Sequence, residues 1–164
     1  MSKVKFEDFT IKVLAAMDSK LVAALEECAG EIESQTKRNS RVAPGGGKTK
    51  NSFKHKVVDS ELTAYIGSDE ENAIWEEFGT GEHALKGDGR KGYWVYVKGS
   101  DGNSKKTGKS YSLKEAKRVM AILRSKGLEA YYTSGKKPSR AFWKAYTSLK
   151  NKIINYLQNS LKGL

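Results

Sequence analysis

Four groups of residues in this sequence have types and spacings that could do chemistry. The first is Gly45-Gly46-Gly47-Lys48-Thr49, the composition of a loop that cradles phosphates. A complete phosphate loop needs another glycine five residues before Gly47, and Val42 stands there. The segment also follows a helical pattern and leads to a strand, the reverse of the order that aims a helix N-terminus at a nucleotide. What is left is a flexible basic loop, Asn39 to Ser52, whose Arg41, Lys48 and Lys50 suit contact with DNA or a neighbouring subunit. The second group is acidic: Glu70, Glu71, Glu76, Glu77 and Glu82. Paired carboxylates serve glycosidases and metal-dependent nucleases, but here they alternate with the apolar residues of a helix and read as its solvated face.

The third group comprises the metal and nucleophile candidates. His55 and His83 lie far apart, neither with a partner at zinc-site spacing. Cys28, the single cysteine, falls on the apolar stripe of a helix, where a thiol packs as a small hydrophobe. The fourth is aromatic: Tyr93, Trp94, Tyr96, Tyr131, Tyr132, Phe142, Trp143 and Tyr146, interleaved with lysines. Such residues can stack on single-stranded bases, although at strand and helix spacings they more often fill a core or a subunit interface. No catalytic centre, cofactor or metal site is expected from these groups.

The elements that must position them follow from periodicity. Phe9, Ile11 and Val13 alternate with Thr10, Lys12 and Leu14, predicting a short N-terminal strand. Met17, Leu21, Leu25, Cys28 and Ile32, with Ala24 alongside, then mark one face of a helix from about Met17 to Arg38. Asp18 or Ser19 would cap its start, and Lys37 and Arg38 suit the negative end of its dipole. Phe53 to Val58 and Glu61 to Gly67 read as a hairpin, with Phe53, His55 and Val57 on one face and Leu62, Ala64 and Ile66 on the other strand's matching face. Asp69 to Phe78 reads as a short helix stopped by Gly79 and Gly81.

Tyr93 to Val97 predicts a strand and Gly99 to Gly108 a polar turn region. Ser112 caps a helix to about Lys126 with Leu113, Ala116, Val119, Met120 and Leu123 on one face, and Leu128 to Thr133 returns as a strand. Tyr93 to Thr133 is thus βαβ-like. Pro138 is placed to open a long final helix, where its missing N–H does no harm. Phe142, Tyr146, Leu149, Ile153, Tyr156, Leu157 and Leu161 form the stripe of that helix. The fold class is α+β: a small, mostly antiparallel sheet packed by the first and last long helices, with 84–133 inserted into a single domain of 1–164.

Bulk properties restrict the function classes. The 164 residues, 38% hydrophobic and 30% charged, suit one compact domain with a solvated surface. No apolar stretch is longer than Val13 to Met17, which is far short of a membrane span, so no membrane partner is expected. Glu7, Asp8 and Lys12 interrupt Phe6 to Met17, where a secretory leader would need unbroken apolar residues. A lone cysteine excludes an internal disulfide and fits a reducing compartment, so synthesis and folding in a cytosol are expected. The net charge of +11 is uneven: residues 1–82 carry 11 Lys or Arg against 15 Asp or Glu, and residues 83–164 carry 19 against 4. A basic half can be a solvated surface, a contact for nucleic acid, or one pole of attraction between identical subunits.

The most specific segment is Trp75-Glu76-Glu77-Phe78-Gly79-Thr80-Gly81-Glu82-His83. It resembles the EFGTG-containing segment of the phage tail-component family, small tail-completion proteins of the head–tail junction of long-tailed phages. Three further segments match that family in order. Thr36-Lys37-Arg38-Asn39-Ser40 is similar to its first helix end, and Lys48 to Lys56 occupies the place of its loop-to-strand segment. Thr133 to Phe142, with Pro138 and Phe142, resembles its lead-in to the last helix. Residues 16–83 and 131–162 are covered. The sequence departs from the pattern at the glycine-rich Pro44 to Thr49, at Arg140-Ala141 where a proline commonly stands, and in a longer insert.

The resemblance implies a non-enzymatic virion protein of the neck or tail top, made in the host cytoplasm. It implies self-assembly as a hexameric or dodecameric ring, in tail completion or head-to-tail joining. Its partners would be other neck, connector, tail-tube or terminator proteins, with non-specific contact to packaged double-stranded DNA. Trp75, Glu77, Phe78, Gly79, Thr80, Gly81, Pro138 and Phe142 would be structural: Phe78 anchoring its helix to the core, Gly79 and Gly81 allowing positive φ. The competing reading is a stand-alone, non-specific DNA-binding module that uses the basic C-terminal half. A nuclease or nucleotide hydrolase is the third and weakest.

Overall fold

The structure, a computed structural model, describes residues 10–42, 46–99 and 104–162. It has the expected α+β class, and its described residues fall into two compact units. One is built from the described residues up to 70 together with 141–162, the other from the described residues between 71 and 140.

In the first unit, α1 (Thr10–Asn39) and α5 (Ala141–Leu161) are antiparallel partners. Their seam is made mostly of small side chains: Ala24, Cys28, Ala29 and Thr36 from α1 and Ala141 and Ala145 from α5, with the larger Ile32, all buried. Small residues let two backbones approach closely, and the buried Thr36 hydroxyl is satisfied by donating to Ile32 O at 2.8 Å. Three cross-links fix the register along the pair. Asn39 Nδ2 donates to Ala141 O at 3.2 Å, Lys152 Nζ meets Glu31 at 2.6 Å, and the Tyr156 hydroxyl donates to Glu27. The other side of α1 covers the hairpin of β1 (Phe53–Val58) and β2 (Thr63–Ser68), paired from Phe53↔Ser68 to Val58↔Thr63. Leu62, expected on the inner face of the second strand, lies instead in the turn at φ 45° and is exposed.

Two sequence expectations fail in this unit. Thr10 to Val13 is the start of α1 rather than a strand, and Asp18 and Ser19 lie inside the helix rather than capping it. Phe9 lies outside the described residues. The α5 stripe also rotates: Phe142, Leu149, Ile153 and Leu157 are half-buried beside Ala141 and Ala145, while Tyr146, Tyr156 and Leu161 are exposed.

In the second unit, β3 (Trp94–Lys98) is the centre of a three-stranded antiparallel sheet, with β4 (Ser104–Lys106) on one side and β5 (Ala130–Thr133) on the other. The strands flanking β3 run parallel to each other. The crossover helix α4 (Leu113–Ser125) therefore joins β4 to β5 over the intervening β3, a split βαβ arrangement. The βαβ-like reading of Tyr93 to Thr133 is thereby corrected: β3 and β5 pair antiparallel, and Ser104–Lys106 supplies a strand where a turn region was expected. Val95, Ala116 and Ala130 are fully buried between sheet and helix, flanked by Tyr93, Val97, Val119, Met120, Leu123 and Tyr132. Ser112 caps α4 as expected: its hydroxyl accepts from Glu115 N while Glu115 reaches back to Ser112 N. The remaining helix of this unit is α3 (Glu71–Phe78).

Candidate functional site

Most of the motif residues singled out in the sequence converge where the chain leaves α3. The helix closes with Gly79 N–H donating to Trp75 O at 2.9 Å, and Gly79 turns left-handed at φ 75°. A side chain at Gly79 would sit 2.8 Å from Pro138 Cδ and 2.9 Å from Lys136 O. Gly81, at φ 61°, is tighter still: a Cβ there would overlap Ser134 O and come within 2.7 Å of the Trp94 ring. Gly135, at φ 125°, has the reciprocal restriction against Thr80 O. Two backbones thus cross with no room for a methyl group between them.

Hydrogen bonds lock the crossing. Thr80 N donates to Lys136 O and Glu82 N to Ser134 O, both at 2.9 Å, a two-rung antiparallel pairing. Lys136 N donates to Thr80 Oγ1 at 2.9 Å. The buried Ser139 gives both its N–H, at 2.7 Å, and its hydroxyl, at 3.0 Å, to Glu76 O. Lys136 Nζ pairs with the mostly buried Glu76 carboxylate. Glu82 accepts from Gly92 N at 3.0 Å.

The expected site residues divide accordingly. Gly79, Thr80, Gly81 and Pro138 belong to this clasp, and the positive φ expected at both glycines is present. Trp75 stands at its rim, 40% exposed, with Lys106 Nζ 5.5 Å from its ring. Glu77 is half-buried on α3, and Phe142 is half-buried in the first turn of α5. Phe78 does not anchor α3 to a core. It is 46% exposed, with Lys86 over its ring, and Ile74 and Leu85 nearby are exposed as well. Pro138 does not open the last helix either: Ser139 N–H is drawn to Glu76, Arg140 has φ 54°, and α5 starts at Ala141. Sequence reasoning missed Glu76 on the α3 side and Ser134, Gly135, Lys136 and Ser139 as the other half of the clasp. The glycine at 135, placed like those at 79 and 81 in a motif segment, was the available signal.

The basic loop is partly a helix. Lys48 and Lys50 lie on the one-turn α2 (Lys48–Ser52), with Lys50 half-buried, and Arg41 is exposed. Lys48 pairs with Glu70 at 2.9 Å, and that bond holds its ammonium above the usual lysine value. α2 is preceded by α1 and not by a strand, so the phosphate-loop order is absent from this segment.

Two of the acidic residues are taken up in ion pairs, Glu70 with Lys48 and Glu76 with Lys136. Burial pushes the Cys28 thiol up, with Glu27 and Glu31 adding to the effect, so it stays protonated and weakly nucleophilic. His55 lies between Glu33, 2.5 Å from Nδ1, and Glu26, 3.5 Å from Nε2. Among the described residues no three His, Cys, Asp or Glu side chains gather as metal ligands, and no helix is long and apolar enough to cross a membrane.

Comparison with protein-family models, curated proteins and solved structures finds no match to this chain. The clasp is therefore interpreted from its own geometry. It is a backbone-to-backbone joint in which glycines provide closeness and Thr80, Glu76, Lys136 and Ser139 provide polar closure.

Proposed function

We propose that this chain is a structural subunit of the neck or tail top of a long-tailed phage, acting as a ring of identical copies in tail completion or head-to-tail joining. The observation that carries this reading is the clasp. The two most distinctive segments of resemblance, Trp75 to His83 and Thr133 to Phe142, lie more than fifty residues apart, and their central portions are hydrogen-bonded to one another. Their shared residue types thus have a common physical cause, a joint that only glycines at 79, 81 and 135 allow.

The exposed apolar row of Ile74, Phe78 and Leu85 supports assembly, because a subunit covers such a row on meeting its neighbour. Exposed Glu71 lies on the same helix, while the chain as a whole carries a net +11. A head-to-tail contact between this apolar patch and a different face of the neighbouring copy fits a closed ring. Basic residues facing the ring's bore would meet DNA phosphates without reading bases.

The test is the particle mass in solution by light scattering, with negative-stain images of the same concentrated sample. Annular particles of six or twelve copies are expected, and Phe78→Asp should abolish them while leaving the monomer folded. A wild-type chain that stays monomeric and shows no annular particles overturns the proposal.

A further inference from the structure

The face of the three-stranded sheet opposite α4 gathers several aromatic and cationic side chains of residues 71–140. Alternation along β3 sends Tyr93, Val95 and Val97 to α4, which places Trp94, Tyr96 and Lys98 on the other face. The register extends that face sideways, with Tyr131 of β5 and Lys106 of β4 both opposite Tyr96. The Tyr96 and Tyr131 rings form a stack, 5.6 Å between centroids and 25° from parallel. Beside them opens a groove of about 240 Å³ lined by Trp94, Tyr96, Ser104, Lys106, Thr133 and Lys136, among others.

Five cations surround these rings. Arg124 lies 5.4 Å from the Tyr131 ring and Arg90 5.1 Å from that of Trp94, and Lys98, Lys106 and Lys136 are exposed. Two carboxylates approach: Glu76, which holds Lys136, and Glu129, which lies 4.0 Å from Lys98 and accepts the Tyr131 hydroxyl at 2.6 Å. Residues 71–140 as a whole carry 15 Lys or Arg against 8 Asp or Glu. The face is therefore a cationic surface around a half-buried aromatic stack.

We propose that this sheet face binds single-stranded nucleic acid, with a base extending the Tyr96–Tyr131 stack and phosphates lying along Lys98, Lys106 and Lys136. Rings select the single strand: the bases of a duplex are stacked inside it and have no face to offer, whereas lysines alone would take either form. The charge complementarity is that of backbone neutralisation, without base-edge readout. The site is distinct from the bore contacts suggested above, and it holds whether or not the chain forms rings.

The experiment is fluorescence anisotropy of labelled oligo-thymidine with the full chain at several salt concentrations, against a duplex of equal length. The expected result is a single-strand preference, with affinity falling as salt rises at a log–log slope of about −2 for three phosphates. Tyr131→Leu, which keeps apolar bulk and loses the ring, should weaken binding roughly tenfold, whereas Tyr131→Phe should retain it. Lys106→Ala should weaken binding and flatten the salt slope by about 0.7. Lys114→Ala, on the exposed side of α4, is the control, and melting curves establish that each variant is folded. No binding at low salt, equal affinity for duplex, or affinity unmoved by both Tyr131→Leu and Lys106→Ala would overturn the proposal. Equal, salt-independent retention of a neutral polysaccharide would do so too, since aromatic faces also stack on sugar rings.

Discussion

Replacing Gly81 by alanine tests the clasp at its narrowest point. The φ of 61° alone imposes a left-handed conformation costing an alanine about 1–2 kcal/mol. The added methyl would overlap Ser134 O, which is backbone and has no rotamer to escape into. Relief requires the two strands of the joint to part, weakening the Glu82 N–Ser134 O and Thr80 N–Lys136 O bonds, each worth roughly 0.5–1.5 kcal/mol net. The sum is about 2–5 kcal/mol, a large share of the roughly 5–15 kcal/mol that holds a small domain together.

Gly87 provides the internal control: it has φ 72° and nothing within 4 Å of an added Cβ, so Gly87→Ala carries the conformational cost alone. Urea unfolding followed by tryptophan fluorescence in a Trp143→Phe background reports on residues 71–140, because Trp75 and Trp94 are the tryptophans that remain. Gly81→Ala should lower stability by about 1–3 kcal/mol more than Gly87→Ala, the surplus being the loss of the two hydrogen bonds. Equal destabilisation by the two variants would refute the account of a backbone-to-backbone joint.

Other consequences are open to direct measurement. Ser139→Ala removes the hydroxyl donated to Glu76 O at a buried position and should cost about 1 kcal/mol in the same assay. Val95→Ala empties space at the fully buried centre of the sheet–helix core and should cost about 2–3 kcal/mol by chemical denaturation. The Glu33 carboxyl is held below the usual range, first by the Lys37 hydrogen bond and then by His55. Its contribution is therefore complete above the ordinary glutamate pKa of about 4.3 and is lost as the pH falls through the lower folded value. Glu33→Gln should lose less stability than the wild type across that acid range, measured by melting at successive pH values. Cys28 should react with a thiol reagent far more slowly than free cysteine in the native chain, and at the ordinary rate once unfolded.

Much of the architecture was legible because periodicity is a strong signal. The N-cap at Ser112, the hairpin and the stop at Gly79 all follow local rules that the fold does not override. The failures share a cause: a neighbour decided the outcome. Phe9 to Leu14 alternates like a strand, yet residues from Thr10 onward continue a helix already nucleated downstream, where each added residue needs only one more bond. Ser104–Lys106 has no apolar pattern and is a strand because β3 offers it a partner, with Thr107 fastened to Val95 by main chain and hydroxyl. Pro138 looked like a helix opener, but the clasp takes the backbone of Ser139 before a helix can use it. At the candidate site the glycines were readable as turn formers; their reason for being glycine, a second backbone fifty residues later, was not.

The antiparallel seam between α1 and α5 has a consequence for how the protein is made. Residues 71–140 are continuous, so every partner in the β4–β3–β5 core has been synthesised before α5 begins. The other unit is discontinuous: Ala24, Cys28, Ala29 and Ile32 must wait through the synthesis of the whole middle segment for Ala141 and Ala145 to arrive. The nascent chain therefore carries a half-finished helix pair, and the arrival of α5 sets when α1 can close.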